Sequence, residues 1–286
     1  MIYNLIKRNM KLYFRDRTSV MFSLLGVIII IGLYVLFLGN MLENALANVP
    51  QIGLDKARFL LDSWIMGGVI ASTSITTCMG AFGIMVDDNV KHIIKDFKIS
   101  PMKRWQMVLA YIISSVIIGM IMSVFTFILA EIYIIINGGQ LLPLLAILKV
   151  LGLIVVSVSS SSAVVFFLIS FIKTQNAFGT ASTLLGTLIG FLMGIYIPIG
   201  NLPEAVQVVI KIFPMSHSAV LIRQVMMAEA IPLANLPEEL LLDLGANYEI
   251  SGSVFPVWAH IAVLLVTLVV FYFMAILVAS RKKERE

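Results

Sequence analysis

The chain predicts an all-α membrane protein with six transmembrane helices, and three observations carry that expectation. Six apolar runs (Val20–Leu38, Trp64–Val86, Met107–Ile136, Val150–Ile172, Ala181–Ile199 and Val257–Ala279) each approach or exceed the ~20 residues a helix needs to cross a bilayer. Of the 286 residues, 60% are hydrophobic and 13% charged; an average soluble domain carries about 25% charge. The basic residues are also unevenly placed. With the N-terminus inside, 15 of the 20 Lys and Arg fall in inner segments, which predicts cytoplasmic termini and a multi-pass protein of the plasma membrane.

Several classes fall away at once. The cations sit at membrane boundaries, where anionic lipid accounts for them, so nucleic acid is not an expected partner. A single cysteine, Cys78, excludes an internal disulfide framework and reads as a small packing residue. The first apolar run is too long for a signal-peptide core and no small-residue cleavage site follows it, so it reads as a retained span.

The elements follow in order. Residues 1–18 read as a basic amphipathic helix lying in the membrane interface: Ile2, Leu5, Ile6, Met10 and Tyr13 share one arc, Arg8, Lys11 and Arg15 the other. After the second run, Asp87 or Asp88 is expected to cap a short cytoplasmic helix over 87–101. Val90, Ile93, Ile94 and Phe97 recur on one face of it, with Lys91, Lys95 and Lys98 on the other, and Ser100-Pro101 as its stop. That helix either lies on lipid or docks a cytoplasmic partner.

The third run holds Glu131, the one carboxylate inside an apolar run, either a transport group or an acid reaching the outer interface. The fourth carries Ser157 and Ser159–Ser162, and the fifth Gly186, Gly190 and Gly194 at i, i+4, i+8. Both patterns suit close helix packing or a cavity lining. Residues 201–228 read as an outer re-entrant pair. The first helix is capped by Asn201 and starts near Pro203, Pro214 breaks the pair, and the second is capped by Ser216 or Ser218. Residues 232–253 read as a loop with Glu238, Glu239, Asp243 and Glu249 in solvent.

Chemistry-bearing motifs are missing from the sequence. It contains no GxxxxGK[ST] phosphate loop, no HExxH and no GxSxG elbow. His92, His217 and His260 lie in separate segments, so no shared metal site is expected. Catalytic and metal-binding residues are therefore none. The alternatives are a membrane subunit driven by a partner ATPase, a self-sufficient transporter or channel, and an intramembrane enzyme. Nearly charge-free spans disfavour ion coupling, and no polar constellation supports hydrolysis.

The segments "NMKLYFRDRTSVMFSLL", "DDNVKHIIKDFKISPMKRWQM" and "LPEAVQVVIKIFPMSHSAVLIRQVMM", in that order around six spans, resemble the permease subunits of type-2 ATP-binding-cassette (ABC) exporters. The resemblance covers essentially the whole chain as one permease domain. It implies an interfacial connecting helix at the start and a coupling helix over 87–101, in which Asp87, Asp88, Val90, Ile93, Ile94 and Phe97 meet the ATPase. It implies an outer re-entrant pair with a Pro…Leu-x-Arg signature at Pro214 and Leu221-Ile222-Arg223. It further implies a second permease chain, in a homo- or heterodimer, and a separate ATPase subunit carrying ATP and Mg. Runs two and five would line the path, with Met66, Ser72, Thr73, Thr76, Met79, Thr183, Thr187 and Phe191 as its wall and Glu131 as a further candidate. Such a lining suits drugs, peptides or lipid-like molecules.

Overall fold

The computed structural model describes residues 1–34, 36, 54–94, 102–231, 238–250 and 252–281. The described chain is helical apart from turns and one two-residue hairpin. Its helices are α1 (Ile2–Arg15), α2 (Arg17–Leu33), α3 (Leu54–Val90), α4 (Arg104–Ile136), α5 (Leu144–Ile169), α6 (Gln175–Leu192), α7 (Glu204–Ile212), α8 (Ser216–Met226), α9 (Glu238–Asp243) and α10 (Val257–Arg281). The hairpin pairs β1 (Glu249–Ile250) antiparallel with β2 (Ser253–Val254), Glu249 opposite Val254. The expected loop at 232–253 thus contains a short helix and a hairpin.

Among the described residues four helices are long and apolar enough to cross a membrane, over Lys56–Val90, Trp105–Ile136, Leu144–Ile169 and Val257–Leu277, or five if the bent α7–α8 pair is one span. Six were expected. The apolar part of α2 within the described residues, Ser23–Leu33, is short. The fifth run is diluted: Gln175, Asn176, Thr180, Ser182, Thr183 and Thr187 share α6 with three glycines. The helix stops at Leu192, and Gly194 takes φ +60.

α3 is the centre. Its 37 residues make a rod of about 55 Å at ~1.5 Å per residue, longer than the ~30 Å hydrocarbon layer. In its span 72% of residues are buried, against 22% for α10, which places α3 inside the bundle and α10 at its edge. α4, α5, α6 and α8 all pack on α3, and α10 packs on α5 and α8. The outward face of α10 is Leu265, Val266, Val269, Phe273 and Ile276, the composition a lipid-facing helix needs. Ser160 donates to the Leu264 carbonyl (2.9 Å) and Tyr272 to Ser162 (3.1 Å), so the serine run serves close packing of α5 against α10.

α1, read as an interfacial helix, packs on the bundle. Its apolar arc faces protein, with Leu5, Asn9 and Tyr13 buried and the helix packed on α4, α3 and α2. Lys7 and Lys11 do point outward, but Arg8 turns inward. The helix start expected at Asp87 or Asp88 is also displaced. α3 continues through both to Val90 and ends in a turn where His92 adopts φ 61, a left-handed helix stop. The chain is helical again at Ile93–Ile94; Phe97, with the rest of 95–101, lies outside the described residues.

The pair α7–α8, read from sequence as an outer re-entrant pair, is bent by 90°. Pro203, not Asn201, precedes α7, because the chain first makes a 3₁₀ turn at Ile199–Asn201. Met215 stands at the N-cap of α8. Ser216 instead donates to the Ile210 and Phe213 carbonyls (2.7 and 2.8 Å), closing the end of α7.

At Gly119 of α4 an added methyl would lie 2.7 Å from Val158 of α5 and 3.2 Å from the Cys78 sulfur of α3. Gly119→Val is expected to lower stability by about 1–3 kcal/mol through overpacking, read as a lower unfolding temperature of the purified chain.

Candidate functional site

A cavity of about 730 Å³ opens at the end of the bundle that holds α1. α1 and α2 form one wall, α3 and α6 the other. Its mouth is charged, with Arg8, Arg15, Asp16, Asp87, Asp88 and Lys91. Its interior is apolar with scattered hydroxyls, among them Tyr13, Ser23, Ser72, Thr76, Met79, Phe178, Ser182, Ile189 and Tyr196. Gly80, Gly83 and Gly186 keep the walls low; a methyl on Gly83 would stand 3.2 Å from the Phe178 ring. The Ser72 and Thr76 hydroxyls donate to Val69 and Ser72 carbonyls of their own helix (2.8 and 3.1 Å), so they line the cavity without an unmet donor.

The residues read from sequence as a path separate into groups. Ser72, Thr76 and Met79 line the cavity. Met66 and Thr73 are buried in α3 away from it. Thr183, Thr187 and Phe191 lie on the outward face of α6, the threonines donating to the Gly179 and Thr183 carbonyls at 3.0 and 2.9 Å. Glu131 is buried but elsewhere: Oε2 accepts the Leu142 amide at 3.2 Å, and Oε1 has no partner among the described residues.

The two adjacent acids at the mouth differ. Asp87 is solvent-facing and takes Lys91 at 2.7 Å, an i,i+4 pair that raises the Lys91 pKa. Asp88 is buried, its side chain only 4% exposed. Arg8 of α1 grips it with two bonds, Nη1 to Oδ2 at 2.7 Å and Nη2 to Oδ1 at 2.8 Å, and Tyr111 of α4 donates to Oδ2 at 2.6 Å. One turn along, Asn9 donates to Ser114 at 3.3 Å. The hydrogen bonds that Arg8 donates to Asp88 raise the Arg8 pKa and keep the guanidinium charged. Val90 is exposed beyond this node, and Ile93 and Ile94 are half-buried.

The other end of the cavity is closed. Tyr196 lines it and presses on Gly190, where any larger residue would overlap the ring. Beyond lies Arg223 of α8, completely buried. Its Nε donates to the Trp64 carbonyl (3.2 Å), its Nη2 to the Gly194 carbonyl (2.8 Å), and its guanidinium lies 4.9 Å from the Trp64 ring centre. Gly67 and Gly68 make the room: a methyl on Gly68 would sit 2.7 Å from Nη2. The glycine at 194 supplies its carbonyl because the helix has ended.

Two histidines expected to be apart are together. His217 and His260 meet Nδ1 to Nδ1 at 2.7 Å, and His217 Nε2 reaches the Lys211 carbonyl at 3.0 Å. A carbonyl only accepts, so His217 carries its proton on Nε2 and His260 donates between the rings. Tyr248 and Phe255 enclose the pair, and burial pushes the Tyr248 hydroxyl up to about 12. Their separation of 43 positions in sequence hid this; the usable signal was that both belong to the same end of the bundle. Among the described residues no cluster of three or more His, Cys, Asp or Glu could hold a metal.

A bundle of long apolar helices around one cavity, charged at its mouth and closed at its far end, defines a multi-pass membrane transport protein. Residues 57–277, about three-quarters of the chain, match the family described as ABC-2 family transporter protein, and the chain belongs to that family. It is a transmembrane ABC transporter subunit of permease type, and the family implies association with an ABC ATPase. Comparison with curated proteins gives no match.

Replacing Arg223 with Met leaves the buried Gly194 carbonyl without its donor, a loss of about 1–3 kcal/mol, and removes the second bond to the Trp64 carbonyl and the contact with its ring. Arg223→Met is expected to be strongly destabilised in thermal unfolding. Arg223→Lys recovers only part, because a point charge cannot serve both carbonyls and the Trp64 face.

Proposed function

We propose that the chain is the membrane half of an ATP-driven exporter that moves a hydrophobic or amphiphilic molecule (a drug, peptide or lipid-like compound) out across the plasma membrane. A separate ATPase subunit, carrying ATP and Mg, powers it, and two permease chains pair in the working complex. The observation that carries this reading is the cavity. Its mouth lies beside the basic helix α1, at the end that the positive-inside rule makes cytoplasmic. Its interior of Met79, Phe178, Ile189 and Tyr196 accepts an apolar body, and the charged rim accommodates a polar head. The closure at Tyr196 and Arg223 then faces outward, so the form described is inward-open.

ATP binding would close the ATPase pair against the segment that begins at Val90, Ile93 and Ile94. Work enters by contact, so the permease needs states of different affinity rather than catalytic groups. With both proteins in liposomes, an amphiphile is expected to leave the ATPase-facing side only when ATP is present. Transport by the permease alone, without ATP, refutes the reading.

Two variants refine it. Ile94→Asp combined with Phe97→Asp is expected to leave ATP hydrolysis running while transport falls about tenfold, equivalent to ~1.4 kcal/mol of lost coupling. Thr76→Trp fills the cavity and is expected to lower transport while leaving ATPase binding, measured by co-purification, unchanged.

A further inference from the structure

We propose that α1 and α2 form a movable wall of the cavity, and that the Arg8–Asp88–Tyr111 node is the latch holding this wall to α3 and α4. The inference rests on the cavity being the entry to the transport path. α1 and α2 act together because Tyr13 of α1 donates to Ser23 of α2 at 2.9 Å, and both side chains line the cavity. Opposite them stand Ser72, Thr76 and Met79 of α3. At the mouth the two walls touch through Asp88, which three hydrogen bonds of 2.6 to 2.8 Å bind to α1 and α4.

The chemistry of the node makes it two-state. A buried carboxylate is tolerated when its oxygens are fully bonded, or when it is hydrated. A half-broken node, with Asp88 dry and Arg8 gone, is the costliest arrangement. The node is therefore either latched or open with water on both charges, with little between, and the wall moves when the node opens and the apolar packing of Leu5, Val27 and Ile30 gives way with it. Arg8, with its side chain 31% exposed, already touches solvent and is the partner that can leave. Asp88 is thus a positioning residue that acts through α1 rather than a contact for the ATPase, and Asp87, exposed beside it and paired with Lys91, is the acid within reach of a partner.

The test uses the full chain with its ATPase partner in inside-out vesicles. Cys78 is the sole cysteine, so Cys78→Ser with Thr76→Cys gives one reporter inside the cavity. A membrane-impermeant maleimide is added at the exposed inner face. Arg8→Gln and Asp88→Asn are each expected to raise the labelling rate about tenfold or more, the scale of losing charge-assisted bonds. Tyr111→Phe removes one bond of three and raises it less. The exchange Arg8→Asp with Asp88→Arg restores the latch and returns the rate toward that of the parent.

Unchanged labelling in folded Arg8→Gln overturns the proposal. So does an exchanged variant as open as the single ones, or a rate that rises only in step with lost thermal stability. If Asp88→Asn does not fold, Arg8→Gln and the exchanged pair decide alone. The readout needs no substrate or ATP, so the expected labelling pattern with no ATP-dependent efflux would remove the exporter reading and leave the latch standing.

Discussion

Everything in this fold is arranged around α3, and α3 is held at its two ends by arginines from other elements. Arg8 reaches Asp88 near one end and Arg223 reaches the Trp64 carbonyl near the other. The two contacts are 24 residues apart in sequence, about 36 Å of helix at ~1.5 Å per residue. Between them α3 is packed closely on α4 and α5, with Gly119 against Cys78 and Ser74 facing Ser123 at 3.4 Å. The arginines add a polar anchor at each end. Each is selective for geometry: one needs a carboxylate that accepts a fork, the other two carbonyls and a ring face.

The cavity follows from this pinning. α1 stands beside α3 because Asp88 takes its arginine, and the segment after α6 is drawn to the opposite end because Gly194 gives Arg223 a carbonyl. Small residues then decide where space remains. Gly80, Gly83 and Gly186 leave it open, and Gly190 admits Tyr196 to close it. The Trp64 indole, donating to the Leu244 carbonyl at 2.6 Å, ties the same closure to the segment before β1.

Much of this was legible in the sequence, for identifiable reasons. The second, third, fourth and sixth apolar runs are uninterrupted, and each became a long helix. The break between the two outer helices was legible because Pro214 forbids continuity. Less legible was anything that depends on distant partners. Asp87 and Asp88 are chemically identical neighbours, and only their ~100° separation around α3 turns one to solvent and the other to Arg8, 80 residues away. The helix cap expected there failed because a long apolar helix can carry two acids in its last turns when each has a cation. The fifth run looked like a span by length, but its glycines and threonines let the chain stop at Leu192 and turn. Within the path read from composition, the cavity takes only those residues of α3 that face α2 and α6, a distinction of helix face that hydropathy does not contain.

The buried Arg223 has a consequence for leakage. Among the described residues no ion pair neutralises it, so a fixed positive charge sits just past the closed end of an aqueous cavity. In the low dielectric of a bundle interior such a charge raises the energy of any approaching cation over several ångströms. An arginine at a constriction is a physical barrier to protons and cations alike. The side chain that welds α8 to α3 therefore also gives that end of the bundle a positive potential that disfavours cations.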